Sequence, residues 1–130
     1  MEVRFERLTK RFGDVTAVND VTMEIASGEF VALLGPSGCG KTTTLLMAAG
    51  IYKPTSGSIL FGDRLMNRVP PKERNIGMVF QSYALYPHMT VFENLVFPMR
   101  LKKTPRQAMQ ERAVRVAEMM GIEPLLDRRP

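Results

Sequence analysis

The stretch Gly35-Pro36-Ser37-Gly38-Cys39-Gly40-Lys41-Thr42 constrains this chain more than any other, because it matches the phosphate-loop pattern G-x-x-x-x-G-K-[ST] at every fixed position. Its flanks agree. Glu29-Phe30-Val31-Ala32-Leu33-Leu34 is a short apolar run that predicts a buried strand, and Thr42-Thr43-Thr44-Leu45-Leu46-Met47-Ala48-Ala49-Gly50 predicts a helix ended by a glycine. A triphosphate needs many donors at close range. Backbone N–H groups from Gly38 to Thr43 can supply them only where no side chain intervenes. A helix starting near Lys41 would aim its unpaired N–H groups and positive dipole end at the same anion. Lys41 then reads as a point charge for the β- and γ-phosphates, the Thr42 hydroxyl as a Mg²⁺ ligand and the Thr43 hydroxyl as a donor to the α-phosphate. The motif implies a nucleotide-binding protein.

The other bounds are consistent with that. A chain of 130 residues fits one domain and can bury a core. Its 45% hydrophobic and 24% charged residues are a globular balance that argues against disorder. No apolar run reaches transmembrane length, and the N-terminus reads as a charged strand rather than a signal peptide. The single cysteine, Cys39, sits in the phosphate loop, so there is no disulfide framework, which fits a reducing cytoplasm. The net charge of +5 suits phosphate ligands or an anionic membrane face. The basic residues are scattered, so charge alone does not indicate nucleic acid.

In chain order, Val3 and Phe5 alternate with Glu2, Arg4 and Glu6, the period of a half-buried strand. Lys10-Arg11-Phe12-Gly13-Asp14 reads as a turn. Val21, Met23 and Ile25 then alternate with Thr22 and Glu24, so the chain should open with an antiparallel strand pair. Phe12, an aromatic in that turn, is either a packing residue or a platform for adenine. A short strand is expected at Ser58-Ile59-Leu60-Phe61, and another at Ile76-Gly77-Met78-Val79-Phe80, ending at Gln81. A polar amide at such a strand end is either a plain terminus or a ligand contact, through Mg²⁺ or an oriented water. Thr90 is a candidate N-cap for a short helix with Val91, Leu95 and Val96 on one face, which Pro98 should end. Thr104-Pro105 should start a second helix, with Met109, Ala113, Val116, Ala117 and Met120 as its apolar face and Gly121 as its stop. His88 reads as a loop residue and not as a base.

The string Val79-Phe80-Gln81-Ser82-Tyr83-Ala84-Leu85-Tyr86-Pro87-His88-Met89-Thr90-Val91-Phe92-Glu93-Asn94, downstream of the phosphate loop, resembles the ATP-binding cassette transporter ATPases, and within them the sugar-importer ATPases of the maltose-transporter type. Pro54-Thr55-Ser56-Gly57 and Pro70-Pro71-Lys72-Glu73-Arg74-Asn75-Ile76 fit the same pattern. The resemblance implies an α/β P-loop core with an antiparallel β subdomain and a helical subdomain. Its expected divisions are 1–28 for the antiparallel region, 29–81 for the core up to Gln81, and 82–130 for the start of the helical part. It implies Phe12 as the adenine-stacking aromatic, Val18 as a neighbour of adenine or ribose, and Gln81 as the residue coupling the Mg²⁺ site to membrane subunits. It implies permease partners gripped by about Tyr83–Arg100, a homodimer in the full-length protein, a place on the inner face of the cell membrane, and no nucleic-acid partner.

The family also uses a strand-end aspartate, a following catalytic glutamate, the segment Leu-Ser-Gly-Gly-Gln and a switch histidine. None of these occurs in the 130 residues. The expectation is therefore the N-terminal part of a longer ATPase that binds ATP and turns it over slowly or not at all. Two other readings stay open: a nucleotide-binding fragment without turnover, and another P-loop protein such as a small-molecule kinase, for which Arg74 and Arg100 are the weak lid candidates. The transported solute is not legible, and sugar rests on the subfamily string.

Overall fold

The computed structural model describes residues 1–130, which divide into two compact units, Met1–Met78 and Val79–Pro130. The first unit holds a four-stranded antiparallel sheet with spatial order β2-β1-β3-β4. Its strands are β1 (Val3–Phe12), β2 (Val15–Ile25), β3 (Ser56–Phe61) and β4 (Arg64–Leu65). One helix, α1 (Lys41–Ala48), packs on it. Phe5, Leu8, Val18, Met47, Ile59, Phe61 and Met66 form the buried core, so the phosphate-loop helix is anchored through Met47 to the inner face of the sheet.

β1 shows how the apolar pattern is reconciled with the pleat. Phe5 and Leu8 are both buried, yet a spacing of three would put them on opposite faces of a regular strand. The register shifts between them, and Arg7 sits at φ 48; one extra residue on β1 turns Leu8 back inward. β2 answers with its own extra residue at Asp20 (φ 49), which puts Val18 and Val21 on the core side. Two cross-strand bonds hold this double irregularity: Arg7 N–H donates to Thr22 Oγ1 (3.1 Å) and Asp20 N–H to Thr9 Oγ1 (3.0 Å).

Three sequence expectations change here. Phe12 is not in a turn: β1 continues through it, and only Gly13-Asp14 turn the hairpin, because Phe12 pairs with Val15 across the strands. The apolar runs Glu29–Leu34 and Ile76–Phe80 join no sheet. Phe30 (94%), Leu34 (91%) and Val79 (82%) are exposed, since a buried strand needs pairing neighbours on both sides and none of the four strands here pairs with these runs.

The second unit contains α2 (Val91–Leu101) and α3 (Arg106–Met120). α2 opens with a reciprocal capping box: Glu93 N–H donates to Thr90 Oγ1 (3.1 Å) and Thr90 N–H to Glu93 Oε2 (2.8 Å). Pro98 does not end it. The helix runs three residues further, as a proline forfeits a single i→i−4 bond. α3 starts one residue later than expected, with Pro105 (ψ 143) as the flanking residue and its carbonyl accepting from Met109 N–H at 3.0 Å. Its buried stripe is also narrower. Ala113 and Ala117 face inward, whereas Val116 and Met120 are exposed. The i,i+4 row of alanines makes the buried side, and the i+3 row falls outside it.

Candidate functional site

The phosphate loop is shaped by three glycines at positive φ: Gly35 (154), Gly38 (81) and Gly40 (94). Gly40 flanks the first residue of α1, and its conformation is one L side chains rarely adopt. A Cβ there would lie 2.4 Å from the carbonyl oxygen of Ala17 and 3.2 Å from Val18 Cγ2. The glycine therefore lets the loop rest directly on β2. Val18 is buried beneath the loop as part of the core. Loop, β2 and residues 32–34 border a cavity of about 520 Å³ lined by Val18, Val21, Met23, Leu34, Gly38 and Lys41 among others.

Lys41 is folded into the loop. Its Nζ donates to the carbonyls of Gly35 and Pro36, both at 2.7 Å, and lies 3.3 Å from Cys39 Sγ. The ammonium thus sits inside the curl that its own backbone makes, at the positive end of α1. Thr42 is exposed in the first turn of α1, Thr43 half-buried, and Thr44 buried with its hydroxyl donating back to Gly40 O at 3.0 Å. Gly35, Pro36, Ser37, Gly38 and Cys39 are exposed, and Cys39 N–H donates to Pro36 O at 3.3 Å.

These residues fit a Mg-nucleotide. The glycines narrow the loop to backbone at three positions, and the Lys41 ammonium, beside Cys39 Sγ, lies within it. No group of three or more His, Cys, Asp or Glu side chains could hold a metal alone.

Phe12 is 43% exposed at the end of β1. Its ring meets Tyr52 edge-on with centroids 5.2 Å apart, and Lys10 Nζ stands 4.8 Å from the Phe12 centroid while donating to Lys53 O at 2.8 Å. The ring is held by Tyr52 and Lys10 and stays partly exposed. Gln81 lies in the second unit, exposed, in a turn over residues 81–84 where Tyr83 (φ 59) and Ala84 (φ 49) are left-handed. Downstream, Tyr83, Leu85 and Tyr86 are exposed, and the Tyr86 ring packs tilted against Phe97 of α2 with centroids 4.6 Å apart.

Two residues carry more structure than sequence reasoning gave them. Asn94 knits the loop ahead of α2: its Oδ1 accepts from Tyr86 N–H (2.9 Å), and its Nδ2 donates to Tyr86 O (3.1 Å) and Thr90 O (2.9 Å). Arg74 is corrected outright. It is only 4% exposed, so it cannot serve as a mobile lid residue. Its guanidinium donates to Val69 O (2.9 Å), Met47 O (3.0 Å), Ala48 O (2.8 Å) and Met66 O (2.6 Å). Burial pulls its pKa below the usual arginine value. Nothing in the residue types around it announced this; Arg100, the other candidate, is exposed on α2.

The ABC transporter family model matches residues 18–130. The chain is 54% identical, over 98% of its length, to the trehalose/maltose import ATP-binding protein MalK of Thermococcus litoralis, of which it covers 36%. It is 51% identical over 91% of its length to the sn-glycerol-3-phosphate import ATP-binding protein UgpC of Rhizobium meliloti, covering 34% of that protein. It thus spans about a third of the length of these curated relatives. Among solved structures, a dimeric ATP-binding cassette in a post-hydrolysis state bound to ADP and Pi superposes with a TM-score of 0.86 at 30% identity, over 98% of this chain and 61% of that one. No helix is long and apolar enough to cross a membrane. With the family model covering most of the chain, from the middle of β2 to the last residue, this protein belongs to the ABC transporter family.

Proposed function

We propose that this chain is the nucleotide-binding part of an ATP-binding subunit that drives uptake of a solute, a sugar by its relatives' names, through membrane permease partners. The observation that carries the reading is the phosphate loop: three glycines at positive φ, α1 starting at Lys41, and the Lys41 ammonium inside the curl. ATP would be held by backbone N–H groups from Gly38 to Thr43, by Lys41 on the β- and γ-phosphates and by Phe12 on adenine, with Val18 beneath. The Thr42 hydroxyl would supply an oxygen to Mg²⁺. The nucleotide brings the phosphoryl group. Lys41 would neutralise charge on it, and the loop would orient it for in-line attack by water with ADP leaving. A carboxylate base is not among the residues described, so these 130 residues bind ATP and turn it over very slowly.

Exposed Tyr83, Leu85 and Tyr86 and the amphipathic α2 suit the stretch Tyr83–Arg100 to gripping a permease helix. The working protein would be a homodimer on the inner face of the membrane, without a nucleic-acid partner. Calorimetric titration with Mg-ATP tests the core of this. Binding should be seen and should vanish in Lys41→Ala; absence of binding, or binding that survives the substitution, overturns it.

A further inference from the structure

Arg74 is a buried charge without a counter-charge. Its partners are four backbone carbonyls, and no carboxylate pairs with it. Taking a guanidinium out of water costs several kcal/mol, and arginine does not shed its proton to avoid that cost. A neutral side chain could cap a helix far more cheaply. The position of the charge supplies the reason. Met47 O and Ala48 O belong to the last turn of α1, whose first turn follows directly on the phosphate loop. An eight-residue helix is about 12 Å long. Its negative end, worth about half a charge, would then stand close behind the positive end and offset much of its pull on an anion. Arg74 cancels that negative end.

We infer that Arg74 is a positioning residue for phosphate binding: a buried counter-cation that acts through α1 and leaves the phosphate loop with an uncompensated positive field. The inference rests on the nucleotide reading above. Gly50 belongs to the same device. A Cβ on it would lie 2.4 Å from Arg74 Nε, so the glycine leaves the space in which the guanidinium lies against the helix end.

The size of the effect follows from distance. Helix length plus the reach at either end puts Arg74 about 17 Å from a bound phosphate. At an effective dielectric constant of about 40, each added ligand charge is then worth roughly a factor of two in affinity. The test is titration of the whole chain with Mg-free ATP, ADP and AMP at low salt, for wild type, Arg74→Met, Arg74→Lys and Lys41→Ala. Wild-type binding of ATP that Lys41→Ala abolishes secures the nucleotide reading; its absence overturns that reading and this inference with it. Given binding, Arg74→Met should lose affinity progressively, with the loss for ATP about fourfold greater than that for AMP, while Arg74→Lys keeps the wild-type preference for ATP within about twofold. An equal loss for all three nucleotides, no loss, or a Lys variant as weak as the Met variant overturns the inference alone. If Arg74→Met does not melt cooperatively, Arg74→Lys decides: a retained ATP-over-AMP preference supports it and a collapsed one refutes it.

Discussion

Replacing Gly50 with alanine should destabilise the first unit by about 3 kcal/mol. The residue stands just past α1 at φ 82, where its N–H donates to Met47 O (3.0 Å) and the next N–H, of Ile51, to Leu46 O (2.9 Å). That pair of bonds is the Schellman end of the helix. Two costs add. Holding an alanine in the left-handed region costs about 1 kcal/mol. The new Cβ would also lie 2.4 Å from Arg74 Nε and 2.7 Å from its Cζ, inside any normal contact distance. A flexible chain end could swing away, but this guanidinium is tied to four carbonyls. Loss of even one charge-assisted bond costs about 2 kcal/mol. For a unit of 78 residues, about 3 kcal/mol corresponds to a fall in Tm of roughly 12–24 °C. Thermal unfolding followed by circular dichroism measures it. Gly62→Ala in the same unit is the control: Gly62 has φ 56 but nothing within 4 Å of its would-be Cβ, so only the backbone cost of about 1 kcal/mol remains. Melting of the two variants within a few degrees of each other would show that Arg74 is not fixed as described, and the reasoning would fail.

Removing the helix cap with Thr90→Ala should cost the second unit about 1 kcal/mol, read as a lower urea midpoint with an unchanged slope. Substituting Phe12 by alanine should weaken ATP binding about tenfold while leaving inorganic triphosphate binding unchanged, because the ring would touch only the base; equal losses for both ligands would remove Phe12 from the adenine site. The exposed apolar residues Phe30, Val31 and Leu34 should make the chain self-associate, with light scattering rising with concentration and falling on Phe30→Lys substitution. A monodisperse monomer at all concentrations would contradict that.

The parts of the fold that could be read in advance are those whose physics is local. The phosphate loop is one, since its shape depends on which residues tolerate positive φ. The ends of α1 and α3 are another: Gly50 and Gly121 both close Schellman bonds. The capping box at Thr90 also needs only four consecutive residues. What resisted reading is set by partners distant in sequence. The extra residue at Arg7 is a property of how β1 pairs with β2, and a spacing of three between Phe5 and Leu8 carries no sign of it. Arg74 sits in a run of charged residues, Lys72-Glu73-Arg74, that looks like a solvated turn; only the carbonyls converging from residues 47, 48, 66 and 69 draw it inside.

The run Glu29–Leu34 sharpens the distinction. Its composition says buried strand, and the structure leaves it outside every sheet with Phe30 and Leu34 almost fully exposed. Composition reports what a segment would gain from burial, about 25 cal/mol for each Å² of apolar surface covered, not whether covering atoms are within reach. The phosphate loop that follows nevertheless keeps its shape. Its supports are other ones: Gly40 resting on Ala17 and Val18 of β2, Met47 in the core, and Arg74 at the far end of α1. The phosphate loop is therefore hung from the antiparallel sheet and from its own helix rather than from the apolar run that leads into it.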